Sequence, residues 1–219
     1  EVYLKTENLQ VTGSFKVRGA AYKISQLSAE DKAKGVIACS AGNHAQGVAL
    51  SAQKNGIKAV ICLPDGAPIS KIEATKSYGA EVCLVEGVYD DAYKKALELR
   101  DEKGYSFIPP FDDEDVIAGQ GTIALEIADQ ISDLDAVIVP IGGGGLATGV
   151  STLAKLLNPN IKVIGVEPAE SPLFTEGKTG VHKIQGIGAN FVPENYDESL
   201  VDEIIPVKDE DAILTKDKY

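Results

Sequence analysis

The sequence contains no methionine and no tryptophan, and it has only two histidines and two arginines. Because Arg18 and Arg100 are the only arginines, the composition argues against a phosphate clamp built from guanidinium groups. Any bound phosphate would have to be held by backbone N–H groups instead. With His44 and His182 as the only histidines, we expect no histidine-rich metal centre, and we assign no metal ligands.

Positive charge is also scarce, since 21 Lys and Arg residues stand against 33 Asp and Glu residues, for a formal net charge of −12. A nucleic-acid interface requires a basic face, and none is visible, so we expect no nucleic-acid partner. The longest apolar run, 136–150, is interrupted by glycines and falls short of a membrane span. The chain opens with neither a secretory signal nor an arginine-rich transit pattern. We therefore expect a cytoplasmic protein with no membrane partner.

Cysteine occurs only at positions 39, 62 and 83, each inside a β-like run, and no CxxC pair is present. Such isolated cysteines in apolar runs are typical of small buried hydrophobic residues. The spacing predicts reduced thiols in the core, and it indicates neither a disulfide framework nor a zinc site.

Short β-branched runs alternate with amphipathic stretches of about ten to fifteen residues, which is typical of βαβ units and predicts an α/β fold with mostly parallel sheets. Gly56, Gly79 and Gly104 follow three of the helical stretches, where a left-handed C-cap is expected. The predicted strands are 2–7, 35–40, 58–63, 80–85, 106–108, 136–141 and 162–167. The predicted helices are 17–27, 44–55, 69–78, 89–103, 114–130 and 146–157.

The segment "FIPPFDDED" (107–115) separates two α/β series, and its two prolines and acidic cluster predict a hinge. Beyond residue 168 the periodicity weakens, and a long stretch rich in Gly, Pro and Ser predicts a functional or mobile loop. The sequence starts inside a strand-like pattern and stops at Tyr219 in a pattern typical of a first helical turn. We therefore expect a chain that is truncated at both ends.

Four consecutive glycines, 142–145, follow the strand-like run "AVIVP" and open a helical stretch. Without Cβ atoms, several backbone N–H groups can converge on one anion at a helix N-terminus. The pattern matches neither the Rossmann fingerprint nor the P-loop, and the lysine of a P-loop is absent, which argues against a nucleoside triphosphate. The run predicts a phosphate cradle, and the alternative is a flexible turn without a ligand.

A second strand-to-helix junction is "SAGNHAQG" (40–47). Ser40 is a natural helix cap, and Asn43 and His44 lie in the predicted first turn. A helix N-terminus of this kind can bind an anion such as a carboxylate. The alternative is a capped turn that binds nothing.

The stretch "TGSFKVRGA" (12–20) places Lys16 at a predicted helix start. The helix dipole and partial burial both disfavour an ammonium group there, and a lysine with a lowered pKa suits Schiff-base chemistry. Taken alone, Lys16 is most simply a surface charge. Together with a metal-free phosphate cradle and an anion-binding loop, it suggests pyridoxal 5'-phosphate as the cofactor.

Four segments in order, "TGSFKVRGA", "SAGNHAQGVA", "IPPFDDEDVIAGQGTIALEI" and "VPIGGGGL", resemble the threonine/serine dehydratase branch of the fold-type II pyridoxal-phosphate (tryptophan synthase β-like) family. The resemblance covers about residues 1–168. It implies two three-layer α/β domains with mostly parallel sheets: a smaller domain, 13–110, and a larger cofactor-binding domain, incomplete here, formed by 1–12 and 111–219. It also implies a homo-oligomer that acts on a small amino acid.

The resemblance implies roles for individual residues. Lys16 would be the catalytic residue and the Schiff-base lysine, and Asn43 would hydrogen-bond the phenolic oxygen of the cofactor. The cofactor's phosphate would bind Gly142, Gly143, Gly144, Gly145 and Leu146. The substrate would bind Ser40, Ala41, Gly42, Asn43 and His44.

After residue 170 the sequence departs from the dehydratase pattern, and "HKIQGIGANFVPENYDESLVDEIIPV" (182–207) resembles the cysteine synthase branch instead. The leading hypothesis is β-elimination by a threonine/serine ammonia-lyase, which converts L-threonine or L-serine into a 2-oxo acid and ammonia. One alternative is cysteine-synthase-like β-replacement on O-acetylserine, and another is a non-catalytic binding or sensing module. Serine racemase-like members carry a serine at the position of Ala41, so we expect elimination with little racemisation.

Overall fold

The computed structural model describes residues 1–216. The chain divides into two compact units, Glu1–Pro110 and the residues from Phe111 onward. This boundary falls inside the segment 107–115 that the sequence predicts as a hinge. The division places residues 1–12 in the first unit, and their assignment to the larger domain stays a prediction.

The first unit contains a four-stranded parallel sheet with the strand order β3-β2-β1-β4. A 3-10 turn at Glu7–Leu9 precedes the first helix. The strands are β1 (Val36–Cys39), β2 (Ala59–Pro64), β3 (Glu81–Val85) and β4 (Ser106–Phe107). The helices are α1 (Lys16–Gln26), α2 (Ala29–Lys34), α3 (Asn43–Lys54), α4 (Ile69–Ser77) and α5 (Tyr89–Lys103).

Strands β1 and β2 lie at the centre of this sheet and consist almost wholly of buried apolar residues. Such strands are expected where helices cover both faces of a parallel sheet. One face packs into a cluster that includes Ile24 of α1 and Val48 of α3, and the other packs against Ala92 and Ala96 of α5. Because β1 is packed on both faces, the position of its last residue is fixed. The loop from β1 to α3 therefore begins at a rigid point of the core.

Two parts of the first unit differ from the predicted pattern. The predicted strand 2–7 is wrong, because residues 1–4 are exposed and the only regular element there is the turn at Glu7–Leu9. Apolar alternation alone cannot make a strand without a neighbour for its N–H and C=O groups. The short helix α2 was not predicted; its Ser28 cap accepts a hydrogen bond from the Asp31 N–H at 3.0 Å. The predicted C-cap glycines are confirmed by positive φ angles at all three positions.

The cysteines lie side by side across the sheet, since the strand register pairs Cys39 with Cys62 and Cys62 with Cys83. All three are free thiols. Cys39 and Cys62 are buried as predicted, whereas Cys83 is partly exposed. Burial raises the pKa of Cys39 to about 11 and the pKa of Cys62 to about 12. The two buried thiols are therefore protonated and unreactive at neutral pH.

The second unit contains a three-stranded parallel sheet with the order β5-β6-β7. A 3-10 turn at Glu198–Leu200 precedes its last strand. The strands are β5 (Ala136–Pro140), β6 (Lys162–Pro168) and β7 (Glu203–Val207). The helices are α6 (Glu114–Gln130), α7 (Gly145–Leu157), α8 (Leu173–Glu176) and α9 (Asp209–Lys216).

Strand β7 was not predicted, although its sequence "EIIPV" is apolar. It is an edge strand that pairs with β6 alone, and an edge is where a sheet tolerates a proline such as Pro206. The strand was not predicted because the proline and the irregular stretch before it do not show a strand pattern in the sequence. Within residues 1–216 no helix combines the length and the apolar character needed to cross a membrane.

Candidate active site

Lys16 is the first residue of α1, as the sequence predicts. Its Nζ donates a hydrogen bond to the carbonyl oxygen of Pro110 at 2.6 Å and lies 5.5 Å from the ring centroid of Phe15. Burial of the amine lowers the pKa of Lys16 to about 8. Near pH 8, about half of this amine is therefore neutral and nucleophilic, whereas an ordinary lysine is almost fully protonated.

Helix α3 packs directly against the start of α1. A Cβ atom added to Gly47 would lie 3.1 Å from the backbone carbonyl of Lys16 and from the N atom of Val17. Only a glycine permits this approach without a shift of one helix. The contact fixes the backbone of Lys16 against the second turn of α3, within the first unit.

The loop 40–44 forms the N-terminus of α3. The N-cap is Gly42, and the Ser40 Oγ accepts a hydrogen bond from the Gly42 N–H at 3.1 Å. The prediction that Ser40 is the helix cap is therefore wrong by two residues, because the hydroxyl holds the turn that precedes the helix. Asn43 is exposed, and Ala41 is partly buried against the core.

The first N–H groups of α3 are available for an anion. Within residues 1–216, the N–H groups of Asn43 and His44 donate to no backbone oxygen. A Cβ atom built on Gly42 would have no atom within 4 Å, so the space beside the turn is open. Open space next to unpaired N–H groups at a helix N-terminus suits a small anion such as a carboxylate.

The His44 ring lies in the core, with a residue exposure of 3 %. Its Nε2 lies 2.8 Å from the carbonyl oxygen of Ile108, and because a carbonyl only accepts, Nε2 carries the proton. Burial, and secondarily the charge of Lys16, lowers the pKa of His44 to about 3, so the ring is neutral. Its Nδ1 is buried and has no hydrogen-bond partner among the described residues. Of His44, only the backbone lies at the predicted carboxylate site.

In the second unit the glycine run ends β5 and begins α7. Gly144 is the N-cap, with φ +79°, and α7 starts at Gly145. Within the described chain, the N–H groups of residues 142–147 donate to no backbone oxygen. Unpaired N–H groups at the positive end of a thirteen-residue helix form the arrangement that binds phosphate elsewhere in proteins.

The glycines are also required for packing, which the sequence did not indicate. A Cβ atom on Gly142 would lie 2.5 Å from the carbonyl oxygen of Gly186, and one on Gly143 would overlap the ring of Phe111. A Cβ atom on Gly144 would lie 3.0 Å from the Pro193 side chain. The run is therefore a tightly enclosed turn in which a side chain at these positions would clash. Leu146 is partly buried in the core of this unit.

Two residues of the predicted hinge support this turn. The ring of Phe111 lies on Gly143 and packs against the ring of Phe191 at 5.7 Å. The carboxylate of Asp112 accepts hydrogen bonds from the backbone N–H groups of Glu194 and Asn195 at 3.3 and 3.0 Å. The sequence marks this segment only by its prolines and acids, and the neighbouring residues 191–195 lie too far along the chain for their contacts to be predicted.

The stretch "IQGIGA" (184–189) also lies against the glycine run. The Gly188 N–H donates to the carbonyl oxygen of Ile141 at 3.0 Å. Gly186 and Gly188 have φ angles of +88° and +69°, which other residues rarely adopt. This part of the loop predicted after residue 168 therefore packs beside the glycine run and forms one wall of the turn.

Glu167, at the end of β6, is buried, and its carboxylate accepts hydrogen bonds from the Phe174 and Thr175 N–H groups at 2.8 and 3.1 Å. The Thr175 hydroxyl also donates to it. These donors compensate a buried carboxylate. In the part of the chain that is described, no group of three or more His, Cys, Asp or Glu side chains is arranged to hold a metal ion.

These features fit pyridoxal phosphate. The amine of Lys16 has the lowered pKa needed to bond an aldehyde. The unpaired N–H groups of residues 142–147 can bind a phosphate, and side chains larger than glycine would fill the turn.

Comparison with known proteins also indicates pyridoxal phosphate as the cofactor. The family model described as "Pyridoxal-phosphate dependent enzyme" matches residues 1–216. The chain is 55% identical over 172 residues to an L-threonine ammonia-lyase of Thermotoga maritima, which covers 78% of this chain and 43% of that protein. It is 46% identical over 221 residues to the catabolic L-threonine dehydratase TdcB of Escherichia coli, which covers 99% of this chain and 67% of that protein.

Among solved structures, the processed form of threonine deaminase isoform 2 from Solanum lycopersicum superposes with a TM-score of 0.87 at 43% identity, covering 94% of this chain and 64% of that one. The chain thus spans between about two fifths and two thirds of the length of these relatives. The predicted α/β fold of type II and the predicted cofactor are confirmed, and the chain belongs to the pyridoxal-phosphate dependent enzyme family.

Proposed function

We propose that this chain is part of a threonine/serine ammonia-lyase that eliminates the β-hydroxyl of L-threonine or L-serine to give a 2-oxo acid and ammonia. The observation that carries the proposal is the close packing of Gly47 of α3 on the backbone of Lys16, because it sets a lysine of lowered pKa on the helix that neighbours an open helix N-terminus. The curated relatives with the names threonine ammonia-lyase and threonine dehydratase support it, at 55% and 46% identity.

Lys16 would hold the cofactor covalently through Nζ. When bound, the cofactor supplies an electron sink for a carbanion at the substrate's α-carbon. Once substrate has displaced it, the neutral Nζ of Lys16 would accept the α-proton, and the lowered pKa suits this role near pH 8. The Pro110 carbonyl, which accepts from Nζ, would hold the amine in place.

The other predicted residues would bind and orient. The N–H groups of Gly142 to Leu146 would bind the cofactor's phosphate, and the exposed amide of Asn43 would reach its phenolic oxygen. The substrate carboxylate would bind at the N-terminus of α3, beside Ala41 and Gly42, where the N–H groups of Asn43 and His44 donate to no backbone oxygen of the described chain. The Ser40 hydroxyl would fix the turn by accepting from the Gly42 N–H, and its own O–H would donate to the substrate.

We further propose a cytoplasmic homo-oligomer that acts on a small amino acid and has no nucleic-acid or membrane partner. The net charge of −12 supports the absence of nucleic-acid and membrane partners, because an anionic surface repels both nucleic acid and anionic lipid. Size-exclusion chromatography with light scattering tests the oligomeric state, and a single-chain mass would contradict it.

A second candidate is β-replacement on O-acetylserine. It is favoured by the position of the cysteine-synthase-like stretch, because Gly186 of "IQGIGA" lies directly against Gly142 and the Gly188 N–H donates to Ile141, the residue before the glycine run. This stretch could therefore influence which leaving group and which nucleophile the second unit admits.

The test is product identification with the cofactor-loaded chain. L-threonine, L-serine, and O-acetylserine with sulfide are supplied separately, and keto acid, ammonia and cysteine are measured. We expect 2-oxobutanoate and ammonia from threonine. Cysteine without any keto acid would support β-replacement, and binding of the cofactor without turnover of any substrate would support a non-catalytic module.

A further inference from the structure

The turn 193–196 of the second unit covers the N-cap of α7. The Tyr196 N–H donates to the carbonyl oxygen of Pro193 at 3.2 Å and closes the turn. Pro193 is buried, although the residues on either side of it are exposed. Its Cγ lies 3.0 Å from the position of a Cβ on Gly144, and the Tyr196 Cβ lies 3.3 Å from the same position. Pro193 therefore packs on the residue at which the glycine run becomes a helix.

The carboxylate of Asp112 ties this turn to the segment beside the glycine run. Its Oδ2 accepts from the Glu194 N–H at 3.3 Å, and its Oδ1 accepts from the Asn195 N–H at 3.0 Å. Neither N–H group donates to a backbone oxygen of the described chain. Asp112 directly follows Phe111, whose ring overlaps the position of a Cβ on Gly143. The two bonds thus attach the middle of the turn to a residue next to the wall of the glycine run.

Ring contacts hold the two ends of the segment 191–196. Phe191 packs against Phe111 at 5.7 Å, and Tyr196 packs against the ring of Phe174 at 4.8 Å. Ring contacts tolerate small rotations of the backbone, whereas two hydrogen bonds to one carboxylate fix the direction of the N–H groups. The carboxylate therefore orients the middle of the segment, directly after the buried proline.

The negative charge of Asp112 lies near a proposed anion site. The N–H groups of residues 142–147 suit a phosphate, and a like charge close to them disfavours it. By charge alone, removal of the carboxylate would strengthen phosphate binding or leave it unchanged. A positioning role predicts the opposite sign, because the turn over Gly144 would loosen.

We propose that Asp112 is a positioning residue for the phosphate cradle: its carboxylate holds the turn 193–196, and Pro193 then keeps Gly144 in the conformation, φ +79°, that precedes α7. A glycine has no side chain to restrict its own backbone, so this conformation depends on what packs against it. The inference rests on the proposed phosphate site, and it adds a residue that acts through the turn rather than on the cofactor.

The test compares how the full-length protein, freed of cofactor, binds pyridoxal phosphate and pyridoxal, which lacks the phosphate. Spectroscopic titration measures both affinities. Asp112→Ala removes both acceptor oxygens, and Asp112→Asn retains one. Asp197→Ala is the control, because the Asp197 carboxylate accepts from the Ser199 N–H at 2.9 Å, one turn further along the chain.

In Asp112→Ala we expect pyridoxal phosphate to bind about tenfold more weakly, as for the loss of hydrogen bonds to a charged group, and pyridoxal to bind within about twofold of the parent. Asp112→Asn should change in the same direction by a smaller factor, and Asp197→Ala should match the parent. Asp112→Asn is judged by the same criteria if the alanine variant does not fold.

The proposal is overturned if Asp112→Ala binds pyridoxal phosphate as tightly as the parent or more tightly, because the charge alone then accounts for the residue. An equal loss of affinity for pyridoxal would also overturn it, since the carboxylate would then support the fold in general.

The role of Pro193 as the intermediary is tested by a double variant. Pro193→Ala should itself weaken the binding of pyridoxal phosphate. Adding Asp112→Ala to it should then cause little further loss, because both substitutions act through the same turn. Fully additive losses would show that Asp112 acts by another route and would refute the proposed one.

Threonine turnover is measured in the same preparations. A parent that binds pyridoxal phosphate without turning over threonine contradicts the proposed function, and the order of affinities among the variants still decides the role of Asp112. Conversely, normal turnover with equal affinities in every variant refutes the positioning role and leaves the proposed function intact.

Discussion

Among residues 1–216, the helix N-termini of α3 and α7 both present backbone N–H groups that donate to no backbone oxygen, but their surroundings are opposite. Beside α3, the position of a Cβ on Gly42 has no atom within 4 Å, so the absence of a side chain leaves open space. Beside α7, Gly143 is covered by Phe111 and Gly144 by Pro193. Gly42 at α3 therefore leaves space for a ligand, whereas the glycines at α7 are also needed for close packing within the protein.

The largest effect should come from the amine next to the open terminus. We expect Lys16→Ala to retain the fold and to reduce threonine turnover by about 10³-fold or more, because one group would both hold the cofactor and move the α-proton. Lys58, an exposed residue paired with Glu81 at 3.0 Å, is the control, and Lys58→Ala should keep full activity. Borohydride reduction followed by peptide mapping should label Lys16, and a label on Lys5 or Lys183 would contradict the assignment.

The next prediction compares how substitutions at the N-termini of α7 and α3 change the free energy of unfolding. Gly143→Ala would push a methyl group into the ring of Phe111, so we expect it to lower the free energy of unfolding by about 1–3 kcal/mol. Gly42→Ala meets no atom, and its unfolding free energy should stay within about 0.5 kcal/mol of the parent. Urea titrations measure both, and equal losses in the two variants would remove the distinction between them.

Cofactor binding sharpens the same comparison. Gly143→Asp or Gly144→Asp would add a Cβ and a negative charge where a phosphate is proposed, so pyridoxal phosphate should bind far more weakly. Gly42→Ala should retain the cofactor and weaken the substrate instead, since its methyl group enters the open space beside α3. Spectroscopic titration follows the cofactor; parent-like affinity in both aspartate variants would place the phosphate elsewhere.

The acid–base behaviour of Lys16 gives a smaller effect. Burial holds its folded pKa at about 8, below the unfolded value, so its neutral fraction rises as the pH passes through 8. Lys34 is the internal control, because its bond to Glu30 raises its pKa. Acetylation of the cofactor-free chain should therefore give a midpoint near pH 8 for Lys16 and a much higher one for Lys34. Coincident midpoints would mean that the amine of Lys16 is solvated.

The smallest expected effect concerns the product. Ala41 has no exchangeable proton, so a carbanion beside it should lose its β-hydroxyl rather than be reprotonated on the opposite face. We expect Ala41→Ser to gain a minor fraction of D-serine from L-serine, with pyruvate still the main product. Chiral chromatography measures both, and D-serine as the main product of the parent would refute this interpretation.

The parts of the site that depend on local sequence were predicted, and the parts that depend on distant contacts were not. The strand-to-helix junctions before α3 and α7 were predicted to within one residue, because apolar runs, glycines and the helical period are local signals. Gly13–Lys16 was likewise recognised as a helix start. Phe111 and Asp112 were not recognised as supports of the glycine run, since their partners lie about eighty residues away in the sequence.

Local periodicity and residue type by themselves determined the alternation of strands and helices, the positions of the helix N-termini of α3 and α7, and the candidacy of Lys16. Tertiary structure alone decided that the His44 ring is buried against Ile108, that Ser40 precedes the cap, and that residues 1–4 form no strand. Helices and caps depend on neighbours within about four residues, which a sequence displays. Burial, pKa and the pairing of an edge strand such as β7 depend on groups brought together by the fold, which no local pattern contains.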